Sequence, residues 1–123
     1  MRGGALAGGV VLLALVSGCQ PTDGSAYVPG SYTVRESGVR LRTGPASCHD
    51  APGTGNCDVL AGLEPGDHLY PICQRKGQLV GRNSWWVYVD APGGNVGWVA
   101  SWYLTCPTNR LPEVADCTAA QLA

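Results

Sequence analysis

From Tyr32 to Leu104 the apolar residues of this chain fall in short runs divided by Gly, Pro, Asn and Asp, and no stretch of ten residues repeats them at a helical period. The runs predict six strands, at 32–35, 39–42, 59–63, 68–74, 85–90 and 96–100. The breaks between them carry turn chemistry. Arg42-Thr43-Gly44-Pro45 ends the second run, Glu64-Pro65-Gly66-Asp67 turns the third into the fourth, and Ala91-Pro92-Gly93-Gly94-Asn95 joins the last two as a hairpin. Gly44 and Gly66 suit turn positions of positive φ, and Pro45 and Pro65 fix φ beside them. Val39, Leu41, Leu63, Val87, Val89 and Val99 are placed to fill an interior. Five or six short strands this close together predict an all-β fold, a small β-barrel over 32–104.

The flanks read differently. Residues 20–31 are small and polar with no apolar period, the composition of a flexible tether. The tail, 105–123, carries Pro107, Asn109 and Pro112, and its 113–121 stretch predicts at most one helical turn. At the other end Arg2, an apolar stretch from Ala5 to Val16 and small residues up to Cys19 form a secretory signal over 1–18. That stretch is too short for a membrane span, which needs about 20 residues. The order Val16-Ser17-Gly18-Cys19 resembles the bacterial lipobox. The resemblance implies that Cys19 is lipidated, becomes the first residue of the mature chain and holds the protein to a membrane from outside the cytoplasm.

Composition narrows the partners. Removing residues 1–18 of the 123 leaves 105, enough for one small domain. Of the 8 basic residues one is Arg2, so the mature chain has 7 against 9 acidic ones and no basic run. Neither nucleic acid nor anionic lipid headgroups are expected to bind it. Five cysteines remain beyond Cys19, and outside the cytoplasm they oxidise in pairs with one left over. Cys48 and Cys57 flank a Pro- and Gly-containing loop, where a disulfide contributes roughly 2.7 kcal/mol by chain entropy. Cys73 is expected to tie the tail to the body through Cys106 or Cys117, with Cys117 favoured, for about 4 kcal/mol on the same estimate.

The aromatic residues are the leading candidates for binding. Strand side chains alternate between faces, so adjacent Trp85 and Trp86 cannot both point inward. The chain has no phenylalanine, which assigns Trp86 and Trp98 to the core. Trp85, Tyr88, Trp102 and Tyr103 remain to gather as stacking platforms in a groove. Catalysis is not expected. In Cys48-His49 a nucleophile would need its base within reach, and adjacent residues on an extended chain point apart; His68 begins a strand. Cys48, His49, Cys57 and His68 lack the paired knuckle of a zinc site, the acidic residues fall mostly in turns, tether and tail, and Gly93-Gly94 is a hairpin turn, so no metal, glycosidase or nucleotide site and no cofactor is expected.

Three stretches in order resemble the bacterial SH3-like (SH3b) domains of cell-envelope proteins: Val39-Arg40-Leu41-Arg42-Thr43-Gly44-Pro45, Leu63-Glu64-Pro65-Gly66-Asp67, and Trp86-Val87-Tyr88-Val89 followed by Gly97-Trp98-Val99-Ala100-Ser101-Trp102-Tyr103-Leu104. The last of these resembles the family's closing hairpin and short 3₁₀ turn. The chain departs from the family in a cysteine-flanked insertion after Pro45 and in a longer hairpin with Gly77, Gly81 and Asn83. Both border the groove that SH3-like barrels use for ligands. The resemblance implies a lipid-anchored module that binds a peptidoglycan stem or cross-bridge peptide without transforming it. Its groove would lie between the 48–57 loop and the 77–83 hairpin, with Arg42 or Arg82 facing a peptide carboxylate. The alternative is a protein-interaction module that recruits an envelope protein, which the odd cysteine favours, or an inhibitory one that blocks it.

Overall fold

The computed structural model describes residues 30–105 and 110–122. The expected signal at 1–18, Cys19, the expected tether up to residue 29 and Cys106 lie outside the described residues. Among the described residues six strands run in order: β1 (Tyr32–Thr33), β2 (Val39–Thr43), β3 (Asp58–Leu63), β4 (His68–Val80), β5 (Asn83–Ala91) and β6 (Asn95–Ala100). One helical turn, α1 (Ala46–Asp50), lies between β2 and β3. Neighbouring strands are antiparallel in the order β1-β4-β5-β6-β2-β3, and the sheet curls into a half-barrel. Its open side is spanned by residues 33–35. There the Val34 N–H donates to Asp67 O at 3.1 Å, the Arg35 N–H to Tyr103 O at 2.9 Å, and the Thr105 N–H to Thr33 O at 2.9 Å.

Each expected strand is present, and the departures have local causes. β4 runs on to Val80 instead of ending at 74, because Arg75 and Lys76 pair with Trp86 and Trp85 although the segment is too polar to register as an apolar run. Its pairing with β5 shifts between Pro71 and Cys73, a bulge that suits a residue with no N–H to give to a ladder. Gly66 has the positive φ expected, +90°. Gly44 does not; a Cβ there would stand 2.9 Å from the Cys48 Cβ and 3.2 Å from Asn56 O, so close approach and not conformation requires glycine. The loop after Pro45 was expected to be extended at Cys48-His49, yet both residues lie in α1. Five residues are too few for a helical period to show.

Both expected disulfides form, Cys48–Cys57 and Cys73–Cys117. The tail has a 3₁₀ turn at Ala120–Leu122, at the far end of the segment in which a helical turn was expected. Before it the chain lies along the β4 edge, where the Gln74 N–H donates to Ala115 O and the Cys117 N–H to Gln74 O.

Two apolar clusters occupy opposite faces of the sheet. Residues directly opposite in an antiparallel pair share a face. Val87 opposite Val99 therefore belongs to the interior with Val39, Leu41, Leu63, Leu69, Val89 and Leu104, and Leu111 and Val114 of the tail close over it. Trp86 opposite Ala100 and Tyr88 opposite Trp98 point the other way. Trp86 and Trp98 are 2% and 0% exposed, buried as expected, but in the second cluster, beneath the Cys48–Cys57 loop. Each buried indole removes roughly 150–250 Å² from water. The Cys48–Cys57 loop is the cover for that face.

Candidate functional site

The outer face is set by β2, β5, β6 and the loop folded over them. Both buried indoles find acceptors, as a desolvated N–H requires. Trp86 Nε1 donates to Gln78 O at 2.9 Å, and Trp98 Nε1 to His49 Nδ1 at 3.0 Å, which requires the His49 ring proton on Nε2. Tyr88, half-buried, lies with its ring 4.9 Å from that of Trp98 and edge-on to His49 at 5.8 Å. Arg75 donates to His49 O at 2.8 Å, and the Asn56 amide donates to Ser47 O and Ala51 O. The loop is held at both ends as well as by its disulfide.

The groove expected between the loop and the 77–83 hairpin is closed over part of its length. The Gln78 N–H donates to Pro52 O at 2.8 Å, and Gln78 Oε1 accepts from the Thr54 N–H at 2.7 Å and its hydroxyl at 3.0 Å. Gly77 presses on the Pro52 main chain so closely that a Cβ there would overlap the Pro52 carbonyl. Beyond this seam a cleft of about 210 Å³ remains open. Trp86 and Ala100 line it from the outer face of the sheet, together with Thr54 of the loop, Val80 of the hairpin and Tyr103. Arg40 and Arg42 complete it, because the inward-pointing Val39 and Leu41 place the residues that alternate with them on the opposite face of β2. Arg42 is oriented by a 3.1 Å hydrogen bond to Cys57 O.

The six residues expected to bind ligand are therefore dispersed. Arg42 and Tyr103 line the cleft. Tyr88 packs in the second cluster beside Trp98. Trp85 lines a different opening, at the β4 edge, with Lys76 Nζ and the Arg110 guanidinium 5.8 and 5.7 Å from its ring centre. Trp102 is on the 3₁₀ turn Ser101–Tyr103, where its ring lies on Gly81 and Arg35 stands 5.0 Å over it while donating to Trp102 O at 2.8 Å. Arg82 is exposed in the β4–β5 turn. Arg40 is the cleft residue that the sequence reading missed. The alternation Val39-Arg40-Leu41-Arg42 was the available signal, since two inward apolar residues force the two arginines onto one face.

Chemically the cleft offers two guanidinium groups, a phenol and an apolar floor. This suits a planar anion such as a carboxylate attached to a small apolar group. His49 stands elsewhere, against Trp98, and the sulfur of Cys48 is bonded to that of Cys57. Comparison of the chain with protein-family models, with curated proteins and with solved structures finds no match.

Proposed function

We propose that this protein is a lipid-anchored cell-envelope module of the SH3-like kind that binds a carboxylate-bearing peptide of the peptidoglycan and does not transform it. The observation that carries the reading is the cleft in which Arg40 and Arg42, from alternate positions of one strand, face the same space beside Tyr103. Its volume, about 210 Å³, takes one terminal residue or one acidic side chain of such a peptide. The expected signal ending in Cys19 supports the anchor, and the two disulfides among the described residues support an oxidising compartment. Retention of the protein with Cys19→Ser on purified peptidoglycan tests the reading. Saturable binding is expected, and Arg40→Ala combined with Arg42→Ala is expected to weaken it at least tenfold, the loss of about 1.4 kcal/mol or more from charge-assisted hydrogen bonds. Equal retention of the double variant would sink this cleft as the binding site.

The competing reading, a module that recruits or blocks an envelope protein, is supported by β3. It is the last strand of the sheet, and its Val59 and Leu60 are 52% and 42% exposed at a shift of register. Apolar residues on a sheet edge are a surface for another chain. This reading predicts a partner that co-purifies from membranes and is lost in Val59→Lys, with no saturable binding to peptidoglycan.

A further inference from the structure

Along the outer edge of β4 the backbone groups alternate in direction, as they must in an antiparallel strand. Gln74 turns its N–H and C=O outward to Ala115 O at 2.9 Å and to the Cys117 N–H at 3.0 Å, and Gln78 turns its N–H outward to Pro52 O at 2.8 Å. Lys76 lies between them, opposite Trp85 and two residues from Gln74 in the same unbroken register, which shifts only beyond Lys76. Its N–H and C=O therefore also point away from β5. Among the described residues, neither the tail nor the loop bonds to them. At this position a cleft of about 590 Å³ opens, lined by Asp50, Arg75, Lys76, Trp85 and Asp116.

We propose that this cleft is a second binding site, for the C-terminal residue of a peptide with a free carboxylate. The tail covers Gln74 and Pro52 covers Gln78, four residues or about 13 Å further along the strand. One residue of edge is left open between them. An extended chain running along β4 would collide with one cover or the other, so only a chain end enters. The Lys76 N–H then donates to the ligand's carboxylate, the Lys76 C=O accepts from its last amide, and its side chain lies on Trp85. The charges select the carboxyl end over the amino end. Arg110 and Asp116 are paired with each other at 3.0 Å, which leaves Arg75 and Lys76 against Asp50, a net positive charge at the opening. The site shares no residue with the Arg40 and Arg42 cleft and does not depend on it.

Titration of the ¹⁵N-labelled full chain with acetyl-Ala-Ala-Ala, and with the same peptide as its C-terminal amide, tests the assignment. The free acid is expected to move the Lys76 amide and the Trp85 indole N–H resonances saturably, with the amide form at least about tenfold weaker. Lys76→Glu is expected to abolish the response; Trp85→Leu, which leaves the charges in place, is expected to weaken it. In the Arg40→Ala, Arg42→Ala variant both resonances still move, so failure of the peptidoglycan reading leaves this result standing. Silence at Lys76 with both peptides, or equal effects of acid and amide, would overturn the proposal.

Discussion

Gly81 has φ at +61° and the Trp102 ring lying on its α-carbon, so a side chain there is excluded twice over. Gly81→Ala is predicted to cost about 1–3 kcal/mol, from backbone strain and from displacing the indole. Urea unfolding reads this directly, and an unchanged midpoint would contradict it. Gln74 makes the same point for a polar group. It is fully buried, its amide donates to Leu111 O and Val114 O, and its carbonyl accepts from the Leu111 N–H at 2.8 Å. Gln74→Leu would raise stability if the position needed only apolar bulk. The prediction is the opposite sign, a loss of about 1–3 kcal/mol or more, because three main-chain groups of the tail would be left unpaired in the core. At this scale the sequence was partly legible. The opposite faces of Trp85 and Trp86 follow from their adjacency, whereas the seat of Trp102 on Gly81 joins residues far apart in the chain and leaves no local pattern.

The loop between Cys48 and Cys57 is the element that distinguishes this molecule. It carries the end of α1, covers Trp86 and Trp98, supplies His49 as the acceptor for one indole and Thr54 as a wall of the arginine cleft. Cys48→Ser with Cys57→Ser is predicted to remove about 2.7 kcal/mol by the chain-entropy estimate. It should also let water reach the two indoles, seen as a red shift of tryptophan emission before global unfolding. A variant with the spectrum and midpoint of the parent would show that the loop stays in place without its bridge. The strands themselves were readable because alternation and turn residues are local. The cover on the second face was not, since a sheet buried on both faces by a loop has the same strand pattern as a barrel with a bulky interior. For that reason Trp86 and Trp98 were rightly read as buried while the side on which they are buried was not foreseen.

At the scale of the whole molecule, the half-barrel is completed by what precedes and follows it. Residues 33–35 span the open side, Leu111 and Val114 close the interior, and the Cys73–Cys117 bridge holds the tail against β4. The walls of the arginine cleft come from the sheet and from the disulfide-closed loop, whose Cys57 O orients Arg42; groups fixed in this way before a ligand arrives would lower the ordering cost of binding. A lipid at Cys19 would hold that cleft within a thin layer over the membrane, where high local concentration makes even weak binding effective. Whether the cleft reads wall peptides is decided by calorimetric titration of the oxidised chain with solubilised peptidoglycan fragments, beside the Arg40→Ala, Arg42→Ala variant. The account predicts saturable binding that weakens with salt, as arginine–carboxylate contacts do, and at least about a tenfold loss in the variant. No saturable heat with the folded parent, or the same affinity in both proteins, would contradict it.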